Sequence, residues 1–361
     1  MPHKPQLDGL RFLAFLAVFY FHARPDRNFW GPEGVFVFLT LSGFLITRIL
    51  ILGESGDFVA DLKRFYIRRS LRIFPLYYLV ILWLWITCRL PAMGWFLSYT
   101  YNIKAFLTRN WVGGHADHLW TLSVEEQFYL LYPIAFLLTP SRRRPILLVA
   151  LLVGSKLFQA YAETRLVMPW ALFLLPYCGE FLLWGCLAGL IELKTKPGRW
   201  EGPLTLAAGA VLICLYSTHH DVSNRLPPPG WIEVIGRYSG FGLGAALVIF
   251  GLWRSDHSWI VAPLAFRPVA YLGRISYGLY VYHLIMLETD WTGYIPDGYL
   301  LRNPPGMLLG TIVVASASWY GFERPINRLK DRLTTPRGSG PAATEPVPSS
   351  IQASKSATDR D

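Results

Sequence analysis

The chain has 361 residues, 53% of them hydrophobic and only 16% charged, with 14 Trp, 19 Tyr and 22 Phe. A soluble domain carries roughly 25% charged residues, so the composition argues for a membrane protein. The formal charge of +10 lies between apolar runs, which favours a membrane-topology signal over a nucleic-acid face.

A bilayer-crossing helix needs roughly 17–25 mostly apolar residues. Ten runs are candidates: about 8–23, 34–52, 73–90, 119–139, 145–161, 171–191, 203–217, 240–253, 271–290 and 304–322. The first sits in LDGLRFLAFLAVFYFH, and no cleavable signal peptide is expected there, because Arg11 interrupts it and no small-residue cleavage site follows. Arg11 and His22 are eleven residues apart, about three helical turns. They fall on one stripe within roughly 20°, separated by roughly 16 Å. Taken alone, the pair reads as an arginine snorkelling to the inner headgroups and a histidine at the outer interface. Asp8, three residues before Arg11, could neutralise it.

The third run opens with RFYIRRSLRIFPLYYL. Arg68 and Arg72 are four apart and Arg69 and Arg72 three apart, so a helix gathers them on one side. A basic flank is an ordinary topology anchor. A cluster at a helix N-terminus, where this one is expected, also suits a bound anion such as a phosphate. The stretch 94–107, GWFLSYTYNIKAFL, is short and holds Asn102 and Lys104, so it is expected to be re-entrant or interfacial.

The fourth run opens with HADHLWTLSVEEQFYLLYP. Its polar residues include His115, His118 and Ser123, and Glu125 and Glu126 lie a turn or two inside the boundary. Carboxylates at such depth need a polar cavity or a partner. Adjacent helical residues point about 100° apart, so the two glutamates are not expected to work as a dyad. His115-x-x-His118 lacks a third ligand at helical spacing, and no metal is expected. Lys156 lies inside the fifth run, and His283 lies mid-run in GRISYGLYVYHLIML. A lone mid-membrane histidine is a functional candidate, with a hydroxyl of Tyr277, Tyr280 or Tyr282 as the structural alternative. Cys88, Cys178, Cys186 and Cys214 fall in apolar segments without close pairing and read as small core residues. The segment 334–361 is rich in Pro, Ser, Thr and Ala and is expected to be a disordered cytosolic tail after a membrane domain over 1–333.

If 94–107 does not cross, one side of the membrane receives 24 of the 34 Lys and Arg. The positive-inside rule makes that side cytosolic. The expected fold is therefore all-α, a polytopic bundle of about ten transmembrane helices with both termini in the cytosol.

Five blocks in order resemble the integral-membrane acyltransferase-3 family. LDGLRFLAFLAVFYFH is similar to its Arg-x10-His motif, and GVFVFLTLSGFLIT, with Ser42 and Gly43, to its second-span signature. RRSLRIFPLYY resembles its Arg-x-x-Arg motif, here Arg69 and Arg72. HLWTLSVEEQFYLLYP and ISYGLYVYHL resemble two further blocks, the last ending in His283. The resemblance runs from about Leu7 to about Pro325. Some members add a soluble hydrolase-like domain at the C-terminus, which is not expected in this chain.

The resemblance implies an acyl-coenzyme A donor, usually acetyl, on the cytosolic side, with no metal. It also implies a carbohydrate hydroxyl as acceptor on the other side of a bacterial cytoplasmic (inner) membrane. A sugar hydroxyl holds its proton at neutral pH, and a positioned histidine accelerates attack by roughly 10²–10⁴. His22 at the outer end is the expected base, with Glu125 orienting its ring. Arg11, Arg69 and Arg72, with Arg68 as a weaker member, are expected to hold the coenzyme A phosphates. Asp8, His118, Ser123 and His283 complete a further polar set. An exopolysaccharide, an O-antigen, peptidoglycan or the sugar of a macrolide would fit as acceptor. The rival class is a transporter or flippase without chemistry, which coenzyme A need not stabilise.

Overall fold

The computed structural model describes residues 3–24, 30–88, 90–196, 198, 200, 201–223, 230–255, 258–289 and 303–334. It is all-α, with no strand among the described residues. The chain order is α1 (Pro5–Ala23), α2 (Gly31–Gly53), α3 (Phe58–Cys88), α4 (Met93–Leu97) and α5 (Tyr101–Thr108). A 3-10 turn at Gly114–Leu119 leads into α6 (Trp120–Leu138), α7 (Arg144–Arg165) and α8 (Leu175–Lys194). Then come α9 (Glu201–Ser223), α10 (Gly230–Arg254), α11 (Ser258–Ala265), α12 (Arg267–Arg274), α13 (Ser276–Glu288), α14 (Pro304–Ser318) and α15 (Arg324–Thr334). Among the described residues all ten apolar runs are largely helical, but the run expected at 271–290 is broken at Ile275, between the end of α12 at Arg274 and the start of α13 at Ser276. By length and hydropathy, Gly31–Gly53, Phe58–Thr87 and Arg144–Arg165 are long and apolar enough to cross a membrane. The segment read as a tail lies outside the described residues from 335 onward.

Several helix starts follow from local chemistry. Proline occupies the first turn of α1, α2, α7, α8, α12 and α14, where its missing N–H costs nothing. Asn303 caps α14, its Oδ1 accepting from the Gly306 N–H at 2.9 Å.

The third helix corrects an expectation. It begins at Phe58, not near residue 73, so Arg68, Arg69 and Arg72 lie three to four turns inside it. They sit in the body of α3, away from that helix's own free N–H groups, so the anion site expected at its start does not exist there. The extension holds because its first turns are amphipathic. Phe65 continues the buried stripe of Ile73, Leu76, Tyr77, Val80, Ile81 and Leu84. Asp61 pins the start by accepting from the Ser55 N–H at 2.8 Å and its hydroxyl at 2.6 Å.

Helices α2 and α8 pack so closely that side chains are excluded from the seam. A Cβ on Gly43 would sit 1.9 Å from the Leu182 carbonyl oxygen, and one on Gly185 would sit 1.8 Å from that of Thr40. Small residues of this kind let apolar helices associate by direct backbone approach. A polar knot ties α7, α8 and α10. Glu180 is fully buried and meets Lys156 Nζ at 2.6 Å. It also accepts from Gln159 at 2.9 Å, Trp184 at 3.0 Å and Ser239 at 2.7 Å.

The stretch 94–107 is not one helix. It breaks between α4 and α5, where Tyr99 takes a positive φ of 52°. Eight helical residues of α5 span only about 12 Å. Gln127 of α6 anchors the break, its amide donating to the Tyr99 carbonyl at 2.9 Å and to Asn102 Oδ1 at 2.8 Å.

Polar contacts sort the connections into two ends. At one, Arg144 makes two bonds to Glu54, at 2.8 and 2.6 Å, while Arg254 bonds Glu192 and Glu201 at 3.1 and 3.0 Å. Arg48 pairs with Glu192 there too. At the other, His115 meets Glu288 at 3.0 Å, Asn102 donates to the Phe173 carbonyl at 3.0 Å, and Tyr101 donates to Asp117.

Candidate active site

Two neighbouring cavities in the bundle share Val35 and Tyr280, which line both. The first is narrow, about 100 Å³, and its polar lining includes Arg11, Arg69, Arg72, Ser42, Glu125 and Tyr129. The second holds about 460 Å³ and is lined by His22, His118, Asp117, Trp111, Trp120 and Phe173 among others. Helix α1 runs past both, with Arg11 in the first and His22 in the second.

The first cavity is lined by three guanidinium groups and one carboxylate, Glu125. Arg11 donates from Nη1 to Asp8 at 3.0 Å, so the i,i+3 neutralisation exists. Arg69 lies over the Tyr129 ring at 4.2 Å, and its buried Nε has no hydrogen-bond partner. Such an orphaned donor suits an anionic ligand. Arg68 is exposed and does not line the cavity. Glu125 accepts from the Ser42 hydroxyl at 2.9 Å and from the Tyr129 hydroxyl at 3.1 Å. Glu126 lines neither cavity, as the 100° offset anticipates.

Glu125 is therefore not the partner of His22, contrary to the sequence expectation. It lies with the arginines, and His22 Nδ1 instead meets His283 Nε2 at 3.1 Å. Packing is the reason: α13 lies beside the His22 end of α1, whereas Glu125 faces α2 through Ser42. His283 is fully buried. Its Nδ1 bonds the Tyr280 carbonyl at 2.6 Å, not a tyrosine hydroxyl. The three candidate hydroxyls are engaged elsewhere: Tyr277 to the Ile73 carbonyl, Tyr282 to Ser318, and Tyr280 to Thr121 and the His118 carbonyl.

The 3-10 turn brings His118 into the same group. Its ring centroid lies 4.7 Å from that of His283, and its Nε2 bonds the Val281 carbonyl at 3.2 Å. Ser123 is buried, reaches only the Leu119 carbonyl at 3.5 Å and lines neither cavity. No group of three metal-ligating side chains occurs among the described residues.

Sequence reasoning missed Tyr129, Thr121 and the double role of Tyr280. Tyr129 had a signal, since it stands four residues after Glu125 on one helix face. The His22–His283 contact had none, because 261 residues separate the pair.

An all-α bundle with three helices long and apolar enough to cross a membrane, and with a basic and a histidine-bearing chamber sharing a wall, is built around an internal polar site. The chain belongs to the acyltransferase-3 family: the family's model, described as an acyltransferase domain, matches residues 4–322. It is similar to the peptidoglycan O-acetyltransferase OatA of Listeria monocytogenes, 28% identical over 363 residues, 90% of this chain and 56% of the relative. It is likewise similar to YrhL of Bacillus subtilis, a protein named as a candidate peptidoglycan O-acetyltransferase. That match is 28% identical over 360 residues, 89% of this chain and 54% of the relative. The chain spans about half the length of the curated relatives it matches. No solved structure matches it.

Proposed function

We propose that the protein is a membrane O-acyltransferase of the bacterial cytoplasmic membrane. It moves an acyl group, with acetyl as the first choice, from cytosolic acyl-coenzyme A to a hydroxyl of an extracytoplasmic or lipid-linked glycan. In this reading the ten helical runs cross the bilayer and both termini are cytosolic. The sorting of polar loop contacts into two ends agrees with that topology.

The observation that carries the reading is the pair of neighbouring cavities along α1, basic in one and histidine-bearing in the other. Arg11, Arg69 and Arg72 bind the donor phosphates. The thin pantetheine arm runs towards Tyr280 and presents the thioester to the outer cavity. There the acceptor oxygen attacks the thioester carbonyl carbon while His22 takes its proton. The carbon–sulfur bond breaks, and coenzyme A leaves as a thiolate that is then protonated. Glu125 belongs to the donor chamber, where it counters part of the arginine charge.

The acceptor of the named Listeria relative is peptidoglycan, so cell-wall glycan is the first acceptor to test. Membrane vesicles supplied with labelled acetyl-coenzyme A should transfer label to glycan, and coenzyme A should raise the thermal stability of the purified protein. Label on a free glycoside in place of polymer would move the acceptor to the small-molecule class. Absence of both transfer and stabilisation would support the transporter class instead.

A further inference from the structure

We propose that His283 is a positioning residue that sets the tautomer of His22 and so decides which of its nitrogens acts as the base. The proposal rests on the reading that His22 takes the acceptor's proton. The assignment starts at a backbone carbonyl. His283 Nδ1 lies 2.6 Å from the Tyr280 carbonyl oxygen. A carbonyl oxygen can only accept, so Nδ1 carries the hydrogen. The partner of the other nitrogen, at 3.1 Å, is His22. Neither partner is a carboxylate, and the surrounding groups are the rings of Phe15, His118 and Tyr280. A second proton would bury a cation without a counter-charge, which a buried site strongly disfavours. His283 is therefore neutral, and Nε2 keeps its lone pair.

The consequence passes to α1. If His283 Nε2 accepts, His22 Nδ1 must donate. A neutral imidazole protonated at Nδ1 holds its lone pair on Nε2. His22 lines the outer cavity, so Nε2 is the nitrogen left for the acceptor hydroxyl. When Nε2 takes a proton, the imidazolium stays bonded through Nδ1 to His283, which spreads the new charge. His118 walls this pair, with its own Nε2–H spent on the Val281 carbonyl. A carboxylate is the usual group behind a catalytic histidine, and here a second histidine anchored on a main-chain carbonyl takes that place.

Nitrogen-15 NMR of the histidine-labelled protein in lipid nanodiscs reads the tautomer directly. At neutral pH, His22 should show a protonated Nδ1 and a bare Nε2. His283→Leu removes the acceptor and should give a mixed tautomer signal. His283→Gln, whose side-chain oxygen can accept, should keep the wild-type pattern. Turnover should follow: kcat falls on the order of 10²-fold in His283→Leu and recovers largely in His283→Gln, with the affinity for acetyl-coenzyme A unchanged. In a His22→Ala background, His283→Leu should cost nothing further, because the two act as one unit. A wild-type spectrum with the proton on Nε2 would overturn the proposal, as would full turnover in His283→Leu when His22→Ala is inactive. An active His22→Ala would instead remove the base assignment on which it rests. If His283→Leu fails to fold, the wild-type spectrum and His283→Gln decide the matter.

Discussion

At the scale of single residues, the site separates the arginines from the candidate base. The arginines and Glu125 line one chamber, and His22 and His118 line the other with Asp117 and Glu288. Each charge-assisted hydrogen bond to a phosphate is worth roughly 1.5–3 kcal/mol, so Arg69→Ala or Arg72→Ala should weaken acyl-coenzyme A binding by at least about tenfold. Isothermal titration checks this, and unchanged affinity in both variants would remove the phosphate role. Arg68→Ala should have little effect, since Arg68 is exposed and outside the lining. His22→Ala should lower glycan acetylation by roughly 10²–10⁴ while leaving donor binding intact. Glu125→Gln should leave the acid limb of the kcat–pH profile in place, because Glu125 bonds Ser42 and Tyr129 and does not touch His22. A shift of that limb would return Glu125 to the base.

At the scale of elements, the buried Glu180 knot holds α7, α8 and α10 together. Lys156→Met removes the cation from a carboxylate that has no access to solvent, and removing one member of such a pair costs about 3–5 kcal/mol. Thermal unfolding in detergent should show that loss, and adding Glu180→Gln should recover a good part of it. Helices themselves were readable from the chain because apolar runs in a membrane leave few alternatives to helix. The start of α3 was not, because its first four turns are charged, and hydropathy cannot separate an amphipathic helix extension from a loop. Lys156 could be seen as out of place, but its partner on another helix could not. The same limit applies to the site. Arg11 and His22 were placed on one stripe by the period of the helix alone, whereas the neighbour of His22 depended on how α13 packs against α1.

At the scale of the molecule, the ends of the bundle should differ in chemistry and in access. With Cys88 and Cys214 replaced by serine, Cys214 being the exposed free cysteine among the described residues, a cysteine at Gly114 should react with an impermeant reagent applied to intact cells. One at Gly56 should react only after permeabilisation, and the reverse pattern would invert the proposed topology. The Glu54–Arg144 clasp adds a pH signature at its end of the bundle. Hydrogen bonds from Arg144 hold the Glu54 carboxyl below its ordinary range, with burial pulling the other way. A carboxylate lowered in the folded state stabilises fully above its unfolded value, about pH 4.3, and loses that contribution as pH falls through the folded value. The melting-temperature advantage of the wild type over Glu54→Gln should therefore be complete at pH 6 and shrink below about pH 4.

Tyr280 lines both cavities, bonds Thr121 and the His118 carbonyl through its hydroxyl, and accepts from His283 through its main chain. In the proposed reaction this ring would stand between the donor thioester and the water of the acceptor chamber. A transferase of this kind survives only if idle donor is not spent on hydrolysis. Tyr280→Ala keeps the carbonyl that anchors His283 and removes the barrier. It should raise coenzyme A release in the absence of acceptor while transfer itself persists, a leak measurable with a thiol reagent.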